Sequence, residues 1–596
     1  MSRIREEEFD QKIDASLWKR LASYAWRSKG LVIFSVCALL CVALVDIAYP
    51  LFNKYAIDHF IIPGTTQGLG WYFVLYVLAV VFQSAGVMCF VSGAGKLEMQ
   101  ISYDIRQEVF LKLQTLSFSF YDKTAVGYLM SRMISDVARL SEMIAWSIVD
   151  ILWALCFVVG CMVAMFALNW QLALIALCVI PFLAVACVYF QKKILKYQRE
   201  VRKTNSRITG AFNEGIMGAM TTKTLVREQA NLEDFQEITT TMRKVSIRSA
   251  VLSAVFMPIV MLLSSVGTAL ALYQGGQEVL LGVIGFGTLS AFLSYTTQLF
   301  DPVQQLARIL AEFQSAQAAA ERVISLLDAP LDIVDSPEIQ AVFGDSFEPK
   351  TENWPAISGD ITFDDVEFHY IPEEPILKHF NLHVAAGKSV ALVGETGAGK
   401  STIVNLICRF YEPTAGKILI DGVDYRERSQ LWLQRNLGYV LQSPHLFSGT
   451  IRDNIRYAKK DASDADVRRA AQMVHAEQFI LEQENGYDTE VGEGGIRLST
   501  GQKQLISFAR VILADPRLFV LDEATSSIDT QTEQLIQQAI TTVLAGRTSF
   551  IVAHRLSTIK NSDLILVIGH GGILEQGTHE ELLAKKGAYY KLYSNQ

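Results

Sequence analysis

Six stretches of about 20 apolar residues, near 31–55, 71–93, 144–167, 171–191, 251–274 and 279–300, constrain this 596-residue chain more than anything else in it. Runs of that length match the hydrocarbon thickness of a bilayer, where only a structure that satisfies its own backbone groups survives. Six crossings return the chain to the side on which it began. Charge says which side that is. The connections HFIIPGTTQGLG, NWQ and YQGGQEVLLG hold no Lys or Arg, whereas the other two carry Lys96, Arg106, Arg132, Lys192, Arg202, Arg227 and more. Basic loops stay in the cytoplasm, so both termini and the two long connections are expected there.

Each of these connections runs about 50–60 residues, far beyond an ordinary loop. Apolar residues recur at three- and four-residue steps, as at Val109, Leu113 and Leu116, which predicts helices that continue past the bilayer and reverse in the cytoplasm. The reversals are expected within FSFYDKTAVGYLMSRMISD (118–136) and ITGAFNEGIMGAMTTKTLVRE (208–228), where Gly127, Gly215 and Gly218 permit bends. Both expose apolar side chains and are expected to dock. Pro181 and Pro258 are predicted to kink their spans. Asp46 lies inside the first span, where an ionisable group is costly. It is a candidate for a substrate or ion role, or, with Pro50 close by, for a place near the outer interface.

Composition separates two regions. The chain is 51% hydrophobic, but the excess sits before residue 300, and residues 345–596 are mixed and charged like a water-soluble domain. A net charge of −8 argues against a general nucleic-acid binder. Of eight cysteines, all but Cys408 lie in apolar runs without metal-ligand spacing, so they are expected to pack as small hydrophobes. The first ~30 residues are charged and show no secretory pattern.

In the soluble region, KSVALVGETGAGKST (388–402) joins a buried strand to an apolar helix through Gly394, Glu395, Thr396, Gly397, Ala398, Gly399, Lys400, Ser401 and Thr402. This is a complete phosphate-loop pattern in its required strand–loop–helix setting. The glycines let backbone N–H groups wrap the phosphates, Lys400 offsets their charge, and Ser401 can ligate Mg²⁺. A second apolar strand, in RLFVLDEATSSID, ends in Asp522 and Glu523. Asp522 can orient the Mg²⁺ shell, and Glu523 can polarise an attacking water.

These motifs resemble the ATP-binding cassette (ABC) transporters, and the resemblance covers nearly the whole chain. It implies a membrane all-α domain of six helices with long cytoplasmic extensions over 1–330, a linker over 331–358 and an α/β P-loop nucleotide-binding domain over 359–596. By the same resemblance, Ser499, Gly501 and Gln502 of LSTGQ form the signature that meets the γ-phosphate of ATP held by the other subunit. Gln442 of VLQSPHLF is the glutamine that touches Mg²⁺ and senses the membrane domain, and His554 of IVAHRLST is the switch histidine. Tyr370 of VEFHY is the aromatic that stacks on adenine, Ser526–Asp529 link the two ATP sites, TEVGEGG (489–495) is the cross-linking loop of exporters, and the two reversals are coupling helices.

The family usually has Gly where this chain has Thr500, and Leu505 stands where many members are basic. A β-branched residue at a site needing positive φ would cost on the order of 1–3 kcal/mol. Since Lys400, Gln442, Asp522, Glu523 and His554 are intact, the departure predicts division of labour: this chain supplies the good acid and the poor signature of an asymmetric pair. The partner is therefore expected to be a second, non-identical half-transporter, with a homodimer as the alternative. The expected activity is ATP-driven export of amphipathic compounds across a bacterial cytoplasmic membrane. A lipid or glycolipid flippase is the alternative within the class, and an ATP-gated channel or regulator the alternative outside it. No peptidase domain precedes the first span, so leader-peptide processing is not expected.

Overall fold

The computed structural model describes residues 15–441, 444–522, 530–552 and 559–594. The chain divides into two compact units, one built from residues up to Gln114 with Thr124–Ala329, the other from Thr115–Lys123 with Pro330 onward.

The first unit is helical. Among the described residues, five helical segments are long and apolar enough to cross a membrane: Lys29–Ile61, Leu69–Thr115, Val126–Leu168, Trp170–Met217 and Glu228–Leu280. The sixth apolar stretch is Phe286–Gln298, followed after Leu299 by Phe300–Leu327. The helices Leu69–Thr115, Trp170–Met217 and Glu228–Leu280 contain 47, 48 and 53 residues. At 1.5 Å per residue they extend roughly 70–80 Å, more than twice a hydrocarbon core. Helix continues through Pro181 and Pro258 without a break.

One connection differs from expectation. YQGGQEVLLG is mostly helix, and the turn falls at 281–285, so the last span begins at Phe286 rather than at 279. One glycine there serves packing: a Cβ on Gly275 would stand 2.6 Å from Leu289 Cδ1. Glu278, buried in that helix, accepts from Asn169 Nδ2 at 2.7 Å, while Asn169 Oδ1 caps Gln171 N and Leu172 N at 2.9 and 3.2 Å. One amide thereby closes the NWQ turn and ties it to its neighbour. Asp46 accepts from Gln83 Nε2 and from the Trp153 indole, and Tyr49 OH donates to Gln83 Oε1 at 2.6 Å. The carboxyl joins the first three spans inside one polar cluster.

The reversals are tighter than the stretches predicted for them. The first is the helix Phe118–Lys123, and the second turns at Gly218 into the helix Ala219–Thr224. Gly127 and Gly215 lie within helices.

Among the described residues, the second unit holds ten strands: β1 Ile361–His369, β2 Pro375–Val384, β3 Ser389–Val393, β4 Ala415–Ile420, β5 Val423–Asp424, β6 Leu437–Val440, β7 Leu518–Asp522, β8 Thr548–Val552, β9 Leu564–Gly569 and β10 Gly572–Gly577. They form an antiparallel sheet β2-β1-β4-β5 and a sheet β10-β9-β3-β8-β7-β6, parallel except for its β10 edge. Strands β3 and β8 are buried along their whole length, which is why apolar residues fill them apart from Ser389, Thr548 and Ser549 at their starts. Their pleat still sorts side chains. Ala391, Val393 and Ile551 pack with Phe508 and Ile540 on one face, and Val390, Leu392 and Phe550 pack with Trp432 and Phe363 on the other.

Candidate functional site

Strand β3 delivers the chain into the loop 394–399, where Gly394, Gly397 and Gly399 have φ of +149°, +86° and +100°. These are conformations that favour glycine. A Cβ on Gly394 would lie 2.3 Å from Ile568 O, whereas one on Gly397 would meet nothing within 4 Å. The first glycine therefore serves strand packing, and the second leaves the concave side clear. The helix Lys400–Ile407 follows at once, with Gly399 as its left-handed cap residue. Its first-turn N–H groups have no acceptors within the helix and face the same concavity. That cradle fits a phosphate chain.

Lys400 is buried, and its Nζ donates to Gly394 O and Glu395 O at 2.8 Å each. Burial pulls its ammonium below the usual lysine range, with the Asp522 carboxylate acting in the opposite sense. Asp522 ends β7, which is separated from β3 by β8 alone. The sheet thus sets the lysine and the acid at neighbouring strand ends. The Asp522 carboxylate and the Ser401 hydroxyl are hard oxygen donors of the kind Mg²⁺ takes. Gln442, Glu523, His554 and the Ser526–Asp529 link fall outside the described residues.

Tyr370 follows β1 and is 41% exposed. The ring is fixed edge-on by Phe368 and Tyr411, at centroid distances of 4.8 and 5.0 Å. Its hydroxyl lies 3.4 Å from Thr402 Oγ1 and accepts from Asn405 Nδ2 at 3.3 Å. An exposed aromatic face is thereby held beside the phosphate-loop helix.

Ser499 caps the helix Thr500–Ala514. Its Oγ accepts from Gln502 N at 3.3 Å, and Gln502 Oε1 accepts from Ser499 N at 3.0 Å. Thr500 is the first helical residue and has no positive φ, so the strain expected of a β-branched residue there does not arise. Any effect of Thr500 comes from its side chain at the exposed helix start. Leu505 is buried in the core with Phe508 and Ile506, where an apolar residue fits. In TEVGEGG, Gly492, Gly494 and Gly495 have positive φ, and Gly494 O accepts from Lys503 Nζ at 3.0 Å.

One buried and one half-buried arginine escaped the sequence reading. Arg409, 2% exposed by side chain, pairs with Asp335 and Glu412 at 2.8 Å each. Arg510 donates to Asn454 O at 2.6 Å and His445 O at 2.8 Å, and burial pushes it down to about 10. Arg409 directly follows the phosphate helix and its Cys408, an adjacency visible in the sequence.

Comparison with known proteins decides the family. The model of the ABC transporter transmembrane region matches residues 32–303, and the ABC transporter model matches residues 377–526. The uncharacterized ABC transporter ATP-binding protein YfiC of Bacillus subtilis is 36% identical over 578 residues, covering 97% of this chain and 94% of that protein. The chain belongs to the ABC transporters. An ATP-dependent lipid A-core flippase of Desulfotalea psychrophila is 36% identical over 522 residues, 87% of this chain and 89% of that one. The structure of a bacterial Atm1-family ABC exporter with ATP bound superposes with a TM-score of 0.76 at 29% identity, covering 95% of this chain and 98% of that chain. This chain is accordingly an ABC exporter half, a membrane protein whose α/β domain binds ATP and whose hydrolysis drives export.

Proposed function

We propose that this ABC exporter moves amphipathic or lipid-like compounds out of the cytoplasm as one half of a pair with a non-identical chain. The observation that carries the cargo reading is a cavity of about 600 Å³ within the first unit. Its walls combine apolar Met143, Ile194 and Phe256 with polar Gln191, Gln304 and Arg308. Such a lining suits a molecule with one greasy and one polar end. The name of the lipid A-core flippase relatives supports a lipid-like cargo.

In this reading, the loop 394–402 holds the phosphates, and Tyr370 stacks on adenine. Ser401, Asp522 and Gln442 hold Mg²⁺, which would neutralise charge building on the transferred phosphoryl group. Glu523 orients the attacking water, and His554 contacts the terminal phosphate. Ser499, Gly501 and Gln502 face the partner's nucleotide, and Thr500 makes that second site the poorer one. Both termini and the nucleotide-binding domain lie in the cytoplasm of a bacterium, as the basic connections require.

Two measurements test this. Native mass of the complex purified from its own cells should show two different chains; a doubled mass of this chain alone refutes the asymmetric pair. In vesicles, Phe256→Ala and Arg308→Ala should each reduce stimulation of ATP hydrolysis by a fluorescent short-chain phospholipid while leaving basal hydrolysis unchanged. Undiminished stimulation in both variants refutes the cavity.

A further inference from the structure

The phosphate-loop helix ends at Ile407, and the residues after Cys408 are held unusually firmly. Arg409 adopts a φ of +51° and is fixed by Asp335 and Glu412, with Nη1 also donating to Arg428 O at 3.0 Å. Asp335 in turn accepts from Gln430 N at 2.9 Å. The next two side chains both reach the first reversal, Phe118–Lys123, which belongs to the same compact unit. The Phe410 ring lies 4.0 Å from that of Phe118, and Tyr411 OH donates to Asp122 Oδ2 at 2.6 Å. The opposite end of the reversal is tied by Ser119 and Ser117 to Asp332.

Tyr411 has a second contact. Its ring stands perpendicular to that of Tyr370 at 5.0 Å, and Tyr370 is also held by Phe368, Thr402 and Asn405. One side chain thus has its ring on the aromatic beside the nucleotide loop and its hydroxyl on the reversal. Burial, reinforced by the Asp122 carboxylate, holds the Tyr411 phenol above its ordinary range, so it remains a donor at neutral pH. Asp122 is exposed, so losing the hydroxyl leaves a carboxylate that water can satisfy.

We propose that Tyr411 is a positioning residue that ties the Tyr370 ring to Asp122, so that nucleotide seating and the placement of the 118–123 reversal depend on one side chain. This rests on the reading of Tyr370 as the adenine platform. Tyr411→Phe separates the two roles because it keeps the ring and removes only the hydrogen bond. Tyr411→Ala removes both.

The experiment uses the full-length transporter in lipid nanodiscs with a non-hydrolysable ATP analogue. Analogue affinity is measured together with hydrogen exchange of the peptide spanning 115–125, with and without analogue. In the wild type, analogue should slow exchange of that peptide. Tyr411→Phe should keep affinity within about twofold while cutting the analogue-induced protection roughly tenfold, the scale of a hydrogen bond to a charged group. Asp122→Ala should do the same, the double variant should add nothing, and Asp122→Asn, which keeps an acceptor oxygen, should recover part of the protection. Tyr411→Ala should also weaken affinity, as Tyr370→Ala does. The inference is overturned if protection in Tyr411→Phe equals that of wild type, if the two single losses add independently, or if the wild-type peptide ignores the analogue. Unchanged affinity in Tyr370→Ala would instead overturn the adenine reading, and with it the ring half of the inference.

Discussion

Ser499→Ala in this chain, assayed in the assembled transporter, separates an asymmetric pair from a symmetric one. Ser499 does two things that must be kept apart. Locally it caps the helix Thr500–Ala514 through Gln502, and losing such a cap costs about 1 kcal/mol. The helix withstands that, because Leu505, Phe508, Val511 and Ile512 are buried beneath it, each contributing roughly 1.5–3 kcal/mol. The variant should therefore fold, with its unfolding midpoint lowered by a few degrees at most. Thr500→Gly should cost only a few tenths of a kcal/mol, since Thr500 already has a helical backbone. The remaining effect is on turnover. If the helix start faces a partner site whose acid is already poor, steady-state hydrolysis should fall less than about twofold for either variant, a change under ~0.5 kcal/mol in the barrier. If two copies of this chain face each other, both sites lose the hydroxyl. A fall of more than about tenfold, ~1.4 kcal/mol, with an unfolding midpoint near wild type would refute the asymmetric reading.

Lys400→Ala should weaken ATP affinity by more than about tenfold, because it removes the buried ammonium now held by Gly394 O and Glu395 O; a fluorescent-nucleotide titration that shows no loss counts against the loop. Glu523→Gln should leave ATP binding intact and reduce steady-state hydrolysis below about a tenth of wild type, and a faster variant removes Glu523 from its role. Gly275→Val should lower the thermal midpoint of the solubilised protein, because its Cβ would start 2.6 Å from Leu289 Cδ1, an overpacking cost of about 1–3 kcal/mol. Gly276→Val is the control, since nothing lies within 4 Å of its Cβ; equal midpoints for the two would refute the packing argument.

Much of this architecture was legible because some residues admit one explanation. Gly394, Gly397 and Gly399 adopt backbone angles that favour glycine, and a loop of that kind between an apolar strand and an apolar helix has few other uses. The long apolar runs likewise located the spanning helices, since few other segments carry so many apolar residues in a row. Glycines in helices are ambiguous, however. Gly275 and Gly276 lie in YQGGQEVLLG, expected as a connection, but both are helical and Gly275 lets the helix approach Leu289 and Leu172 closely. Thr500 suggested backbone strain because the residue type was visible and the local angle was not. The contacts of Tyr411 were illegible for another reason. Asp122 lies 289 residues away, so only the folded chain brings them together.

The two reversals, alike in sequence character, end in different surroundings, and that difference bears on assembly. The first lies against Phe410 and Tyr411 of the nucleotide-binding unit that follows it in the same chain. The second carries Ile216, Met217, Met220, Leu225 and Val226 fully in the open, with Phe212 and Leu232 exposed beside them. A monomeric soluble surface seldom leaves so many large apolar side chains together at one helical tip. Methionine suits such a surface, because its flexible chain adapts to whatever covers it. Among the described residues the two tips are therefore unequal: the first has its counterpart within its own compact unit, and the second leaves large apolar side chains exposed. A half-transporter built this way is complete only as a pair, which is how exporter halves of this family work. If the pair is unequal, the partner is expected to bring a cover for the second reversal and a signature for this chain's phosphate loop.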